Sequence, residues 1–203
     1  MISRYSRKEL IQIWSEENKY KIWLDVEIAA AQGMEKYKLV PKGVSSIVKK
    51  KTKIKIKRIY EIESRVKHDV IAFLTSITEQ AGIKARYLHQ GMTSSDVLDT
   101  SFNIQLVQSG KVLIKDLDII LSILKKKSKK YKFTPCIGRS HGIHAEPITF
   151  GLKLASYYQE FKRNKKRLLS AIDEISTCSI SGAVGTFANI DPKVEIYVAK
   201  KLK

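Results

Sequence analysis

The chain has 203 residues, of which 38 are Lys or Arg and 20 are Asp or Glu, so its formal net charge is +18. Apolar residue types make up 43% of the chain and aromatic types 8%, which is enough for a buried core and argues against wholesale disorder. No stretch approaches the roughly 18 consecutive apolar residues of a membrane span, and the N-terminus lacks the apolar segment of a secretory signal. The 2 cysteines form no disulfide framework, so we predict a reducing, cytoplasmic location and one or two domains.

The positive charge comes mostly from lysine, which is a poorer ligand than arginine for bidentate contacts to phosphates and bases. The lysines cluster at residues 49–58 and 125–132, and neither cluster interleaves aromatic side chains with its charges. We therefore interpret both clusters as solvated faces, with an anionic partner such as nucleic acid as the alternative.

Helical patterns dominate the first half of the chain. The sequence from Ser6 to Glu9 has the form of a capping box and predicts a short helix that ends near Trp14. An apolar stripe predicts a second helix over residues 16–38, which the Pro- and Gly-containing sequence 39–43 ends. A third helical pattern runs from residue 59 to 82, with room for a kink or an interruption at His68 and Asp69.

The second half of the chain is also helical. A loop over residues 91–96 leads into a helix, and a long helix follows, with an apolar stripe over residues 113–124. Residues 133–146 form an irregular link, and Pro147 stands in the first turn of a helix that ends near residue 176. A turn of small residues follows at 181–185. These patterns predict an all-α fold whose long apolar stripes need cover from other subunits or from further chain.

The densest group of chemically active residues lies at residues 138–147. It holds His141, His144 and Glu146 beside two glycines, which permit close approach of the backbone to a ligand. Imidazole titrates near neutral pH, so such a loop is suited to proton transfer with a substrate. Two readings compete: histidines that are merely hydrogen-bonded in a loop, and a metal site. We expect no metal, because the spacing is not that of a helical zinc pair and no cysteine cluster supports it.

Three further groups are suited to anionic ligands. Thr93 and Ser94 either cap the helix that follows or bind anionic oxygens with their hydroxyls. Arg4 and Tyr5 offer a guanidinium and a phenol, which suit a phosphate. The triplet 67–69 offers a cation, a titratable ring and a carboxylate, of which only part can point inward if the backbone is helical.

Taken together, these blocks resemble the adenylosuccinate lyase family of the fumarase/aspartase superfamily. The matching segments occur in family order and span essentially the whole chain: 4–6, 13–15, 23–27, 67–70, 91–97, 138–147 and 182–186. The form His-Gly-x-His-Ala-Glu-Pro points to the adenylosuccinate branch rather than to the fumarases, aspartases or argininosuccinate lyases.

The resemblance implies a β-elimination that splits a C–N bond and releases fumarate from a succinylated nucleotide. The family substrates are adenylosuccinate, which yields AMP, and the succinylated aminoimidazole carboxamide ribotide of purine synthesis. By motif, His141 is the general acid/base residue at the leaving nitrogen, and Lys67, His68 and Asp69 bind and orient the substrate. Thr93 and Ser94 bind a carboxylate, and Arg4 and Tyr5 hold the phosphate. The resemblance implies no cofactor, no nucleic acid and no membrane, and it implies a homotetramer.

The resemblance also implies how the chain is organised. It predicts an N-terminal helical domain at residues 1–110, followed at residues 111–203 by the first long helices of a central helical bundle. The family's Ser-Ser-x-Met-Pro-x-Lys-x-Asn-Pro loop, which carries the catalytic base serine, occurs nowhere in these residues. We therefore expect an N-terminal portion of the enzyme that has little or no activity alone. The alternatives are a non-catalytic truncated paralogue and a basic helical module that binds nucleic acid.

Overall fold

A computed structural model describes residues 2–202, apart from the side chain of residue 3. These residues contain eight α-helices and one two-stranded sheet, so the predicted all-α class is confirmed, with a single hairpin added to it. The chain divides into two compact units, Met1–Val107 with Ser176–Lys203, and Gln108–Ile175. The predicted division into domains at residues 1–110 and 111–203 stays a prediction.

The elements follow one another in the order α1 (Lys8–Ile13), α2 (Glu16–Lys36), α3 (Val44–Lys51), α4 (Ile56–Val66), α5 (Asp69–Ala81), α6 (Ser94–Lys130), β1 (Pro135–Ser140), β2 (Ile143–Thr149), α7 (Phe150–Ile175) and α8 (Pro192–Leu202). Short 3-10 helices lie at Ser3–Tyr5 and Ile83–Tyr87. The sequence patterns predicted α1, α2 and the α4–α5 region, but they did not predict α3 or α8.

Helix α2 is the centre of the first unit, because its apolar stripe is buried along most of its length. Ser15 caps this helix by accepting a hydrogen bond from the backbone N–H of Asn18 at 3.2 Å. The rings of Tyr20 and Trp23 pack edge to face at 5.1 Å, and Trp23 packs on Phe73 of α5 at 5.4 Å. Helices α3 and α8 also pack against α2, so the core forms around this one element.

The predicted capping box at Ser6 is wrong. Helix α1 begins at Lys8, with Arg7 in the cap position, and the Ser6 hydroxyl donates instead to the carbonyl of Ile2 at 3.1 Å. A serine hydroxyl can satisfy a nearby backbone carbonyl as readily as a helix end, so the sequence form alone does not fix the cap.

In the second unit, the predicted irregular link at residues 133–146 is an antiparallel hairpin of β1 and β2. Pro147, predicted in a first helical turn, lies in β2 opposite Ile137, and α7 begins three residues later, at Phe150. A proline is tolerated there because a two-stranded sheet has only edge strands. The pairing is irregular between Ile137 and Arg139, where a side chain on Gly138 would lie 2.6 Å from the carbonyl oxygen of Glu146.

Helices α6 and α7 approach closely in the second unit, since a Cβ on Gly110 would lie 2.7 Å from the side chain of Ile172. Lys165 of α7 also forms an ion pair with Asp118 of α6. Both helices nevertheless leave large apolar side chains exposed: Leu113, Ile119, Ile123, Leu152, Tyr157 and Leu169.

Candidate active site

The triplet 67–69 lies where one helix ends and the next begins. Lys67 ends α4 with the left-handed backbone angle φ 55°, and His68 stands at the N-cap of α5. The His68 Nδ1 accepts from the backbone N–H of Ile71 at 3.4 Å, and Asp69 accepts from Val70 at 2.7 Å. The interruption anticipated at this point therefore exists, and it frees the three side chains from the constraint of a single helix face.

Thr93 and Ser94 lie at the start of α6, half-buried. The sequence allowed their hydroxyls to cap this helix, but within residues 2–202 neither hydroxyl makes a hydrogen bond. Both hydroxyls are therefore available to a ligand, beside the positive end of a long helix dipole.

Asp96 is a site residue to which the sequence assigned no role. Its side chain is buried, with 2% of the residue exposed, and it accepts three backbone hydrogen bonds. The Oδ2 atom accepts from Thr93 at 2.9 Å and from Gly182 at 3.0 Å, and the Oδ1 atom accepts from Ser181 at 3.1 Å. Two of these donors lie 85 and 86 residues further along the chain, so no local pattern could have revealed them.

Glu27 and His89 form a second polar contact that the sequence did not predict. Glu27 is buried on the stripe of α2, and its carboxylate lies 2.6 Å from the His89 Nδ1 and accepts from the His89 backbone at 2.9 Å. Burial opposes protonation of His89, but the hydrogen bond and the charge of Glu27, with a contribution from Asp96, outweigh it and raise the pKa of the ring. This pair fastens the beginning of the 89–94 loop to the core of the first unit.

Arg4 and Tyr5 lie in the first 3-10 helix. The Arg4 guanidinium stands 4.7 Å from the centre of the Tyr5 ring, and both side chains are exposed. Among the described residues of the first unit, no hydrogen bond or ion pair links Arg4 or Tyr5 to the 67–69 junction or to Thr93 and Ser94.

His141 belongs to the second unit and stands at the tip of the hairpin. His141 and Gly142 are the two turn residues between the paired Ser140 and Ile143, and their φ angles are 52° and 78°. Two positive φ angles are typical of the type I′ turn, which is favoured in two-residue hairpins. The turn sets the backbone of His141, and the exposed imidazole has no hydrogen-bond partner within residues 2–202.

No group of three or more His, Cys, Asp or Glu side chains within residues 2–202 is arranged to hold a metal ion. Over the same residues, no helix is both long enough and apolar enough to cross a membrane.

A family model described as lyase matches residues 3–203, and the chain belongs to this family.

Two curated relatives are similar over the whole chain. The adenylosuccinate lyase of Bacillus subtilis (strain 168) is 46% identical over 202 residues, which are 100% of this chain and 47% of the relative. That of Streptococcus mutans serotype c (strain ATCC 700610 / UA159) is 48% identical, with the same coverage. The predicted resemblance to adenylosuccinate lyases is confirmed, and the chain spans about half the length of these relatives.

Solved structures share the fold at lower sequence identity. The fumarate lyase from Mesorhizobium sp. BNC1 superimposes with a TM-score of 0.91 at 22% identity, covering 98% of this chain and 48% of that one. The 3-carboxy-cis,cis-muconate lactonizing enzyme from Pseudomonas putida gives 0.90 at 23% identity, again with 98% and 48% covered.

Proposed function

We propose that the protein is an adenylosuccinate lyase, to which this chain contributes the N-terminal portion. The observation that carries the proposal is the identity of 46% and 48% to two adenylosuccinate lyases along the entire chain. The reaction is the β-elimination of fumarate from adenylosuccinate, which leaves AMP, and from the succinylated aminoimidazole carboxamide ribotide. It needs no cofactor, and the enzyme acts in the cytoplasm as a homotetramer.

The elimination needs a base for the proton on the succinyl β-carbon and an acid for the departing nitrogen. In our proposal His141 exchanges the proton with the leaving nitrogen. Its position at the exposed tip of the hairpin supports this role, because the ring is accessible to a substrate.

The substrate carries two carboxylates and a phosphate, and the remaining groups supply donors for them. Thr93 and Ser94 donate their free hydroxyls to a carboxylate, and the 67–69 junction orients the succinyl group through Lys67, His68 and Asp69. Arg4 and Tyr5 hold the phosphate. Such donors also stabilise the negative charge that develops on the carboxylate during elimination.

The family's catalytic base is a serine on a loop that is absent from residues 1–203, so we propose that these residues alone turn over little or no substrate. The apolar side chains exposed on α6 and α7 support assembly with further helices.

The test is to incubate the full-length protein with adenylosuccinate and to measure AMP and fumarate by chromatography. We expect the two products in equal amounts, and light scattering is expected to give the mass of four copies. A folded full-length protein that releases no fumarate from either succinylated nucleotide would contradict the proposal.

A further inference from the structure

The Asp96 carboxylate joins two segments of the first unit that are far apart in the sequence. One is the 89–94 loop, which carries Thr93 and Ser94, and the other is the turn at residues 181–185. The carboxylate accepts from Thr93 on the first segment, and from Ser181 and Gly182 on the second, at distances of 2.9 to 3.1 Å.

The two segments and the residues that flank them also contact one another through backbone atoms. A Cβ on Gly91 would lie 2.1 Å from the carbonyl oxygen of Asn189, and a Cβ on Gly182 would lie 3.2 Å from that of Gly91. Thr100, one turn beyond Asp96 on α6, exchanges hydrogen bonds with the backbone of Ser179 at 3.2 and 3.3 Å. These contacts pack the two segments together around the Asp96 side chain.

The chemistry of the contact requires a carboxylate rather than any polar side chain. Asp96 forms no ion pair among the described residues, so the three N–H groups are what stabilise its buried charge. Three donors need acceptors on both side-chain oxygens. An asparagine has one acceptor oxygen, and its NH₂ would face a backbone N–H.

We propose that Asp96 is a positioning residue, which holds the Thr93 and Ser94 hydroxyls in one geometry against the 181–185 turn. The proposal rests on the proposed function for the role of the two hydroxyls. Asp96 itself does not touch the substrate. It acts through the backbone of Thr93, and its hydrogen bonds from the 181–185 turn restrict the motion of the Asp96 side chain.

The first experiment needs no variant and no activity. Amide hydrogen exchange of the full-length protein is measured at Ser181 and Gly182 and compared with Ala183 and Val184, whose N–H groups have no acceptor within residues 2–202. We expect Ser181 and Gly182 to exchange about 100-fold more slowly, because their N–H groups donate to the buried Asp96 carboxylate. Equal exchange at the four amides would overturn the proposal.

The second experiment replaces Asp96 by Asn in the full-length protein, with Asp99→Asn as the matched control. Asp99 lies on the same helix, but it is exposed and has no hydrogen-bond partner among the described residues. We expect D96N to raise KM for adenylosuccinate about tenfold with a smaller change in kcat, and to speed exchange at Ser181 and Gly182. Asp96→Glu keeps the carboxylate and is expected to show smaller changes in KM and in exchange. D99N is expected to change none of these.

The outcomes separate the two proposals. If the unaltered protein has no lyase activity, the proposed function fails. Slow exchange at Ser181 and Gly182 would still support the tie, that is, the contact that Asp96 makes between the 89–94 loop and the 181–185 turn. If D96N speeds exchange but leaves KM unchanged, the tie exists without positioning the hydroxyls, and the inference about Asp96 is wrong. If D96N does not fold, Asp96→Glu is measured instead, and faster exchange at Ser181 and Gly182 with a parental KM would overturn the inference.

Discussion

Glu27 is a carboxylate on the apolar stripe of α2, and His89 is the side chain that compensates its burial. The pair lies inside the first unit, where solvent screens it little. Because the net effect of these surroundings is to raise the pKa of His89 when the protein folds, the stabilising interaction depends on pH in a definite direction.

The stabilisation by this pair is complete below the unfolded pKa of about 6.5 and is lost as the pH rises through the higher folded value. We expect the free energy of unfolding to fall over that range. His89→Asn tolerates the left-handed φ of 60° but removes the partner of Glu27, so it should cost about 2 kcal/mol at pH 6 and flatten the pH dependence. Urea unfolding at several pH values measures both effects. If the free energy of unfolding changes equally with pH in parent and variant, this account is contradicted.

Gly91 allows a backbone contact that no other residue permits. Gly91→Ala adds a Cβ 2.1 Å from the Asn189 oxygen, besides the strain of a φ of 74°. We expect a loss of about 3 kcal/mol, the sum of left-handed strain and overpacking. Gly185→Ala is the control, because its φ is 75° and its nearest neighbour is at an ordinary 3.8 Å. Thermal unfolding measures the stability that each variant loses. Equal losses in the two variants would contradict this account.

Sequence reasoning at the residue scale succeeded where a residue's role is local. His68 interrupts a helix, and Gly82 ends one, because such effects act within a few neighbours. It missed the roles of Asp96 and His89, since the partners of these side chains are 85 and 62 residues away. The sequence around each residue does not indicate which distant group the side chain will contact.

Lys67 joins two helices in a conformation that suits glycine. Its φ of 55° at the end of α4 is the left-handed C-terminal geometry, which costs a residue with a Cβ about 1 kcal/mol. In our proposal the amine is retained there because the substrate needs a cation.

The conflict between stability and function at Lys67 gives a test at the level of the helix junction. Lys67→Gly should leave the melting temperature unchanged or raise it, while substrate affinity falls about tenfold or more. Arg65→Gly, within the last turn of α4, should instead cost about 1 kcal/mol because it weakens the helix. Calorimetry and substrate titration on the full-length protein measure both quantities, and destabilisation by Lys67→Gly would contradict the account.

The elements themselves were predictable to different degrees. Helix α2 follows from its stripe, because burial repeats with the helical period. The β1–β2 hairpin was missed, since its strands are short and mostly exposed, and apolar and polar types alternate only over residues 143–147. Its turn signal is the His141-Gly142 pair, which takes the place of the common Asn-Gly.

At the scale of the whole molecule, charge and exposed apolar surface have different explanations. The lysines at residues 49, 50, 51, 53, 55 and 57 are all exposed, as solvated side chains are, and three of them end α3, where a helix dipole favours cations. The exposed apolar side chains of α6 and α7 belong to a chain that spans about half of its relatives, 47% of their length. Sequence reasoning predicted stripes that this chain cannot cover itself, from the apolar patterns of two long helices and the small number of other helices available.

The central claim is that the imidazole of His141 transfers a proton in a C–N lyase. The most direct measurement is the steady-state kinetics of His141→Asn in the full-length protein, because Asn-Gly is the preferred type I′ turn and leaves the hairpin intact. We predict that kcat for adenylosuccinate falls about 10²- to 10⁴-fold, while substrate affinity changes only a few-fold and the melting temperature does not fall. A variant that retains parental kcat would contradict the claim.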